Sequence, residues 1–296
     1  MRIHNAKKLF SYQDLRDFTE CSFAVDFDLC DLTEPIERKK NSEWVQILFE
    51  KGTEFESDYL ASLSRGAVPG KQITEIPGDG SLEERLRLTH DAMSAGADLI
   101  YQAALYFGNW HGYADILRKI DGKSKYGDHS YEVIDIKSRL EPSPENLLQV
   151  SLYTFLLGEI QQALPKRMYI VTGDLNEHSF KYSDFSHYFG TVLRAFEAYV
   201  DQAMPDRNAI PLPCSFCQYC KWRDHCDLLW DDSDHVSKVG GVARRQVIVL
   251  QHEGIENVSQ LAGLDEGSAI SGIGESTLSR IRINAALQLK KRKTGC

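Results

Sequence analysis

The stretch WHGYADILRKIDGKSKYGDHSYEVIDIKSRL, residues 110–140, decides the fold that the sequence predicts. Its two ends, residues 110–120 and 130–140, are rich in Ile, Val and Tyr, which is typical of β-strands. The residues between them contain Gly and Asp and are typical of a turn-rich connection. The two ends are therefore expected to pair as a hairpin.

Charged residues interrupt both predicted strands. Asp115 lies in the first strand, and Asp135 and Lys137 lie in the second. Residues i and i+2 of a strand share a face, so Asp135 and Lys137 are expected to project together, with Asp115 across the hairpin. Two carboxylates can hold Mg²⁺ or Mn²⁺, and the metal can activate water against a phosphodiester. A neighbouring lysine can position that water or stabilise the charged transition state.

Helical and strand-like segments alternate around the hairpin, which predicts an α/β fold with a mixed sheet flanked by helices. Gln149 and Tyr153 are four residues apart on one predicted helix and share a face, from which they can reach the carboxylates or a bound strand. Helical periodicity is found over residues 42–63, 81–96, 143–162 and 183–203, and strand character over residues 97–107 and 167–173.

Four of the seven cysteines fall within thirteen residues: Cys214, Cys217, Cys220 and Cys226. The N-terminus has no apolar signal-peptide core and no apolar stretch approaches 18 residues, so a cytoplasmic protein without a membrane partner is expected. Thiols stay reduced in the cytoplasm, which favours metal or cluster ligation over disulfides. Their proximity in sequence favours one structural Zn²⁺ bound by all four.

The last segment, residues 238–296, is basic although the chain is acidic. It holds nine Lys and Arg against five acids, a net of +4 in a chain whose total is −9. Gly272-Ile273-Gly274 precedes a predicted helix that carries Arg280. Glycines let main chain approach a phosphate, and a helix N-terminus favours an anion, so salt-sensitive, sequence-independent binding of nucleic acid is expected.

Taken together, these motifs resemble the RecB-type branch of the PD-(D/E)XK nucleases. The resemblance is carried by Gly112-x-x-Asp115, Asp135-Ile-Lys137 and Gln149-x-x-x-Tyr153, and by Cys21 far ahead of Cys217-x-x-Cys220-x5-Cys226. In the iron–sulfur members of this branch, four such cysteines bind a [4Fe–4S] cluster that ties the chain ends around the nuclease core. A group of RecB-like nucleases that the chain resembles also carries a helix-hairpin-helix segment after the last cysteine.

The resemblance implies a nuclease domain over residues 1–230, closed by Cys21 and the cysteines of 214–226, and a small all-α helix-hairpin-helix domain over residues 236–296. It implies Mg²⁺- or Mn²⁺-dependent hydrolysis of DNA at single strands or ends, in repair, recombination or defence. Asp115, Asp135, Lys137, Gln149 and Tyr153 would form the site, and Gly272, Gly274 and Arg280 would contact DNA. The chain lacks a Walker A motif, so a helicase would be a separate partner.

One position departs from the family pattern. The first helix of relatives carries a metal-ligating His in Gly-x-x-His-Glu, whereas this chain has Gly52-Thr-Glu-Phe55-Glu56. Phenylalanine offers no ligand atom, and Glu56 lies about 100° around the helix from it. Glu56 or Glu54 replaces the missing ligand, or the two aspartates hold a single metal weakly, or the site is degenerate. In the last case the protein is a nucleic-acid-binding subunit of a helicase–nuclease complex. In the cysteine cluster, Cys214 is an alternative to Cys21.

Overall fold

The computed structural model describes residues 1–39, 43–63, 73–202 and 210–294, which form strands and helices in alternation. The strands are β1 (Arg2–His4), β2 (Lys7–Leu9), β3 (Ile73–Glu75), β4 (Leu99–Phe107), β5 (Trp110–Ser124), β6 (Gly127–Ile136), β7 (Arg167–Val171) and β8 (Glu177–Lys181). The helices are α1 (Tyr12–Glu20), α2 (Ser22–Asp31), α3 (Glu43–Ser62), α4 (Leu82–Ser94), α5 (Pro144–Gln161), α6 (Tyr182–Val200), α7 (Arg223–Asp232), α8 (Arg244–His252), α9 (Val258–Ala262) and α10 (Glu275–Thr294). In this described part of the chain, no helix is both long and apolar enough to cross a membrane.

A six-stranded mixed sheet in the order β3-β4-β5-β6-β7-β8 organises the N-terminal two thirds of the chain. β4, β5 and β6 form an antiparallel meander, while β3 runs parallel to β4 and β7 parallel to β6. Helix α5 packs across β4 to β7, and α4 packs on β4. The predicted mixed sheet with flanking helices is therefore confirmed.

The predicted hairpin is confirmed, but its strands are longer than predicted. Most of the segment read as a turn-rich connection belongs to β5 and β6, and the turn itself is only Lys125 and Tyr126. Gly127 follows with φ +117°, a conformation that glycine adopts without strain. Short loops of this kind let both strands continue to the turn, so polarity alone was a poor guide to the strand ends.

Local sequence signals set the helices that flank the sheet. Ser81 caps α4 by accepting the Glu84 N–H at 3.2 Å. Ser143 caps α5 in a reciprocal arrangement with Asn146, and Pro144 occupies the first turn, where no N–H is needed. An apolar cluster packs α3 onto the sheet; it contains Leu99, Ile116, Ile134, Ile136 and Val171, with Phe55, Tyr59 and Leu60 from the helix.

The chain divides into two compact units, each made of separate segments. The first contains Met1–Thr19, Leu32–Glu34 and Asn41–Ala203. The second contains Glu20–Asp31, Pro35–Lys40 and Met204–Cys296. The predicted limit near residues 230–236 falls inside the second unit, and the predicted extents of the two functional domains remain predictions.

Candidate functional site

Asp115, Asp135 and Lys137 are neighbours where the pairing of β5 and β6 ends. The last paired residues are Ile116 and Ile134. Beyond them the Asp115 carboxylate replaces a main-chain acceptor, because its Oδ2 accepts the Ile136 N–H at 2.7 Å. Lys137 Nζ lies 2.9 Å from Asp135 Oδ2. The alternation of a strand predicted this grouping.

Asp135 is fully buried, and neither of its carboxylate oxygens has a hydrogen-bond partner of good geometry among the described residues. Lys137 provides the ion pair but leaves lone pairs on both oxygens unused. A buried acceptor without a partner costs stability, on the order of 1–3 kcal/mol. A divalent cation, which takes oxygen ligands, matches these unused acceptors.

The electrostatics of the three side chains favour a cation as well. Burial raises the pKa of Asp135, the Lys137 ammonium opposes that rise, and the Asp115 carboxylate adds to it. Burial also raises the pKa of Asp115, against the Lys137 charge and the Ile136 N–H. For Lys137, burial lowers the pKa, but the two aspartates outweigh burial and raise it. Lys137 is therefore a fixed positive charge at neutral pH and not a proton acceptor.

Glu56, on α3, faces the same group, whereas Phe55 does not. Burial first, and then the Asp115 carboxylate, raise the pKa of Glu56 to about 7, against the opposing charge of Lys137. The Gln102 amide lies 3.5 Å from Glu56 Oε2 as a hydrogen-bond donor. Phe55 packs instead in the apolar cluster between α3 and the sheet. Of the possible replacements for the missing histidine, the geometry favours Glu56.

Tyr153 and Gln149 extend the group from α5. Gln149 Nε2 donates to the Tyr153 hydroxyl at 3.3 Å. Burial raises the pKa of Tyr153, and the nearby Asp135 carboxylate raises it further. The Tyr153 ring lies so close to Gly112 that a Cβ added there would be 2.3 Å from the ring. Gly112 is thus required for this tyrosine to lie beside the aspartates.

A Gly112→Ala variant is expected to be less stable by about 1–3 kcal/mol, the usual effect of overpacking a core. The added methyl group must displace the Tyr153 ring, which is buried and cannot move into solvent. Urea unfolding of the full chain measures the change. Gly52→Ala is the control: among the side chains that the structure describes, none lies within 4 Å of its Cβ position in α3, so helix propensity should stabilise it by about 0.5–1 kcal/mol. Equal stability of Gly112→Ala and the wild type would contradict the close packing.

Tyr12, which the motifs did not indicate, also approaches the group. Burial raises the pKa of its hydroxyl, Arg16 lowers it, and Glu145 and Asp135 raise it. Tyr12 begins α1, and Arg16 lies one turn later on the same face. No sequence signal links Tyr12 to a residue more than a hundred positions away, so only the folded chain reveals the contact.

In the second unit, four cysteines line one apolar cavity, with Trp222 and Trp230 among its other walls. The cavity volume is about 10 Å³. Burial first, and then the neighbouring cysteines, raise the pKa of Cys226 to about 12. The four lining cysteines are Cys21, Cys217, Cys220 and Cys226. These are the residues that the resemblance implies as cluster ligands.

Cys214 lies beside this set but does not line the cavity. Its Sγ is 3.8 Å from Cys217 Sγ, and its main-chain N–H points to the same sulfur at 3.3 Å. Cys30 is buried in α2 and is not part of the lining. Cys296 lies outside the described residues. The cavity lining includes Cys21 and omits Cys214, although Cys214 contacts Cys217, so both remain candidates for the fourth thiol.

The glycines of the C-terminal segment form a tight turn ahead of α10. Ile273 N–H donates to Ile270 C=O at 3.1 Å, and Gly272 between them has φ +89°. Ile273 packs into the apolar core of the unit, while Gly272 and Gly274 are exposed. Arg280 is exposed on α10. Glu275 occupies the first turn of α10, and its charge opposes an anion at that helix end.

Across the described ranges, no group of three or more His, Cys, Asp or Glu side chains is arranged to hold a metal ion as it stands. A metal at either place would require the side chains to turn toward a common point. Two features of the chain still fit such ligands: the unused oxygens of Asp135 and the cavity lined by four thiols.

No family model and no curated protein matches the chain. Among solved structures, the crystal structure of SSO0001 is similar at 16% sequence identity, over 76% of this chain and 89% of that one, with a TM-score of 0.31. A likeness at that level carries no argument. The function must therefore be argued from the carboxylate group of the first unit and the cysteines of the second.

Proposed function

We propose that the protein is a metal-dependent DNA nuclease with a RecB-like PD-(D/E)XK core, acting on single strands or ends. One observation carries the proposal: Asp115, Asp135 and Lys137 are grouped where β6 ends, and the fully buried Asp135 carboxylate has the Lys137 ion pair but no hydrogen-bond partner of good geometry among the described residues. Glu56 adds a third carboxylate beside Asp115. Carboxylates with a fixed ammonium group are the parts that metal-assisted hydrolysis of a phosphodiester requires.

Each residue has a distinct role in this proposal. Asp115, Asp135 and Glu56 hold Mg²⁺ or Mn²⁺, which when bound would supply a Lewis acid and a more acidic water. Lys137, kept protonated by the aspartates, stabilises negative charge on the phosphate. Tyr153 and Gln149 flank the aspartates, where they support the carboxylates or contact the strand.

The cysteines are proposed to bind a [4Fe–4S] cluster, with a structural Zn²⁺ as the alternative. Thiolates are the usual ligands of such clusters. The apolar cavity lined by Cys21, Cys217, Cys220 and Cys226 supports four-thiol ligation. Cys21 comes from a segment far from the other three in sequence, so a metal held by all four would fix α2 to the C-terminal segment.

The turn at Gly272 and Gly274, with Arg280, is proposed as a helix-hairpin-helix contact with the DNA backbone. Such contacts position the duplex or strand without reading sequence. The exposed turn of small residues supports close approach of a phosphate, although Glu275 weakens it. This contact makes binding salt-dependent.

An Arg280→Ala variant is expected to bind DNA about 3–10-fold more weakly and to reduce the salt slope by about 1, because one phosphate contact is lost. Fluorescence anisotropy with labelled DNA at several salt concentrations measures both. Arg282→Ala is the control, since Arg282 is engaged by Glu266 at 3.2 Å and by the Leu264 carbonyl. Equal salt slopes for Arg280→Ala and the wild type would exclude this contact.

Cleavage of end-labelled single- and double-stranded DNA and RNA tests the nuclease directly. The protein is purified without oxygen, and each reaction is run with Mn²⁺ and with EDTA, beside an Asp135→Ala variant. Mn²⁺-dependent cleavage by the wild type alone supports the proposal. Absence of cleavage by both proteins, with DNA binding intact, would contradict the proposed nuclease activity. It would favour the alternative, a nucleic-acid-binding subunit that works with a separate helicase or nuclease.

A further inference from the structure

Gln102 has an unusual main-chain conformation in the middle of β4. Its φ is +55°, in the left-handed region that glycine adopts freely and other residues avoid. The residues on either side pair normally with β5, Tyr101 with Ile116 and Ala103 with Ala114. Gln102 is thus the position across from Asp115. Stability alone favours glycine there, so the glutamine side chain requires another explanation.

Two contacts account for the conformation. Arg85, buried on α4, donates from Nη2 to the Gln102 carbonyl at 3.0 Å. The Arg85 guanidinium is itself fixed over the Tyr113 ring, 3.9 Å from its centre. With its carbonyl held on that side, Gln102 directs its side-chain amide to Glu56, with 3.5 Å between Nε2 and Oε2.

We infer that Gln102 is a positioning residue that holds the Glu56 carboxylate beside Asp115, so that both can ligate one divalent cation. The inference rests on the proposed nuclease function. Glu56 comes from a helix and Asp115 from a strand, and Gln102, at the position across from Asp115, donates its amide to Glu56. Residues behind a metal ligand commonly change metal affinity by about 10–100-fold.

The test compares Gln102→Gly with the wild type in the full chain. Glycine relieves the strained conformation, which should raise stability. It also removes the amide, which should lower the affinity for Mn²⁺. In EDTA, the unfolding midpoint is expected to be equal or higher. Mn²⁺ affinity, measured by calorimetry, is expected to fall about 10-fold or more.

Leu175→Gly is the matched control, because Leu175 also has a left-handed φ, +64°, but lies in an exposed turn away from Glu56. It should gain stability without a change in Mn²⁺ affinity. Wild-type Mn²⁺ affinity in Gln102→Gly would overturn the positioning role, and so would a joint loss of stability and affinity, which indicates a structural role. A wild type that neither binds Mn²⁺ nor cuts DNA would instead overturn the proposed function itself.

Discussion

An Asp115→Asn variant is expected to be more stable than the wild type in EDTA and yet to lose roughly 10³-fold or more of its cleavage activity. Asparagine can still accept the Ile136 N–H, and the ion pair of Lys137 with Asp135 is unchanged. What disappears is one of two buried carboxylates that repel each other. Burial is the largest cause of the raised pKa of Asp115, so removing its charge is expected to stabilise the protein by about 1–3 kcal/mol despite the lost attraction to Lys137. Urea unfolding and DNA cleavage measure the two effects.

The pH dependence gives this prediction a second measurement. Native pKa values are raised, to about 7 for Glu56 and about 8 for Asp135. The folded protein therefore binds more protons than the unfolded chain above roughly pH 4, the ordinary carboxyl pKa. Stability in EDTA should fall as the pH rises from there to about 8, and Asp115→Asn should flatten that fall. A variant that is less stable than the wild type across this range would contradict the buried repulsion.

A Cys226→Ser variant is expected to lose its bound metal and several kcal/mol of stability, because metal binding by a folded thiolate site is folding free energy. Cys226 is buried at the cavity shared with Cys21, Cys217 and Cys220. Metal analysis and visible absorption of protein purified without oxygen identify the ion. Thermal unfolding with and without a chelator measures its contribution.

Two cysteine variants serve as controls for this loss. Cys30→Ser also places a hydroxyl in a buried position, but it should retain the metal because Cys30 does not line the cavity. Cys214→Ser should retain it as well if Cys21 is the fourth ligand. Loss of metal in Cys214→Ser with retention in Cys21→Ser would reverse that assignment. Zinc instead of iron in the purified wild type would favour a structural Zn²⁺ site. A wild type without bound metal would exclude both the iron–sulfur cluster and the zinc site.

The sequence predicted the parts of the site that depend on the geometry of one strand or on strands adjacent in sequence. Asp135 and Lys137 share a face because strands alternate, and Asp115 meets them because a hairpin places β5 beside β6. The helix that carries Glu56 was predicted too, but its rotation was not. Which of Phe55 and Glu56 faces the aspartates depends on how α3 packs on the sheet, and only the apolar cluster around Phe55 reveals it.

Other contributions to the site could not be predicted because they arise from contacts distant in sequence. The Asp135 carboxylate raises the pKa of Tyr12 on α1, and no sequence motif marks this residue. The strand character of residues 97–107 predicted β4, but a left-handed glutamine within it follows from the Arg85 contact and not from propensity. Strand limits at the hairpin were missed because polar residues on exposed strands resemble turns.

The interleaving of the two units has a consequence for synthesis on the ribosome. Glu20–Asp31 belongs to the same unit as Met204–Cys296. More than 170 residues are therefore translated after α2 before the segment that it packs against is synthesised. At about 5–20 residues per second, that delay is roughly 10–40 s. Trp222, whose indole donates to buried Asp28 at 2.9 Å, is among the late-arriving partners. The Asn41–Ala203 segment can begin to fold during the wait, whereas a C-terminal fragment expressed alone would lack Cys21 and Asp28 and could not complete its core.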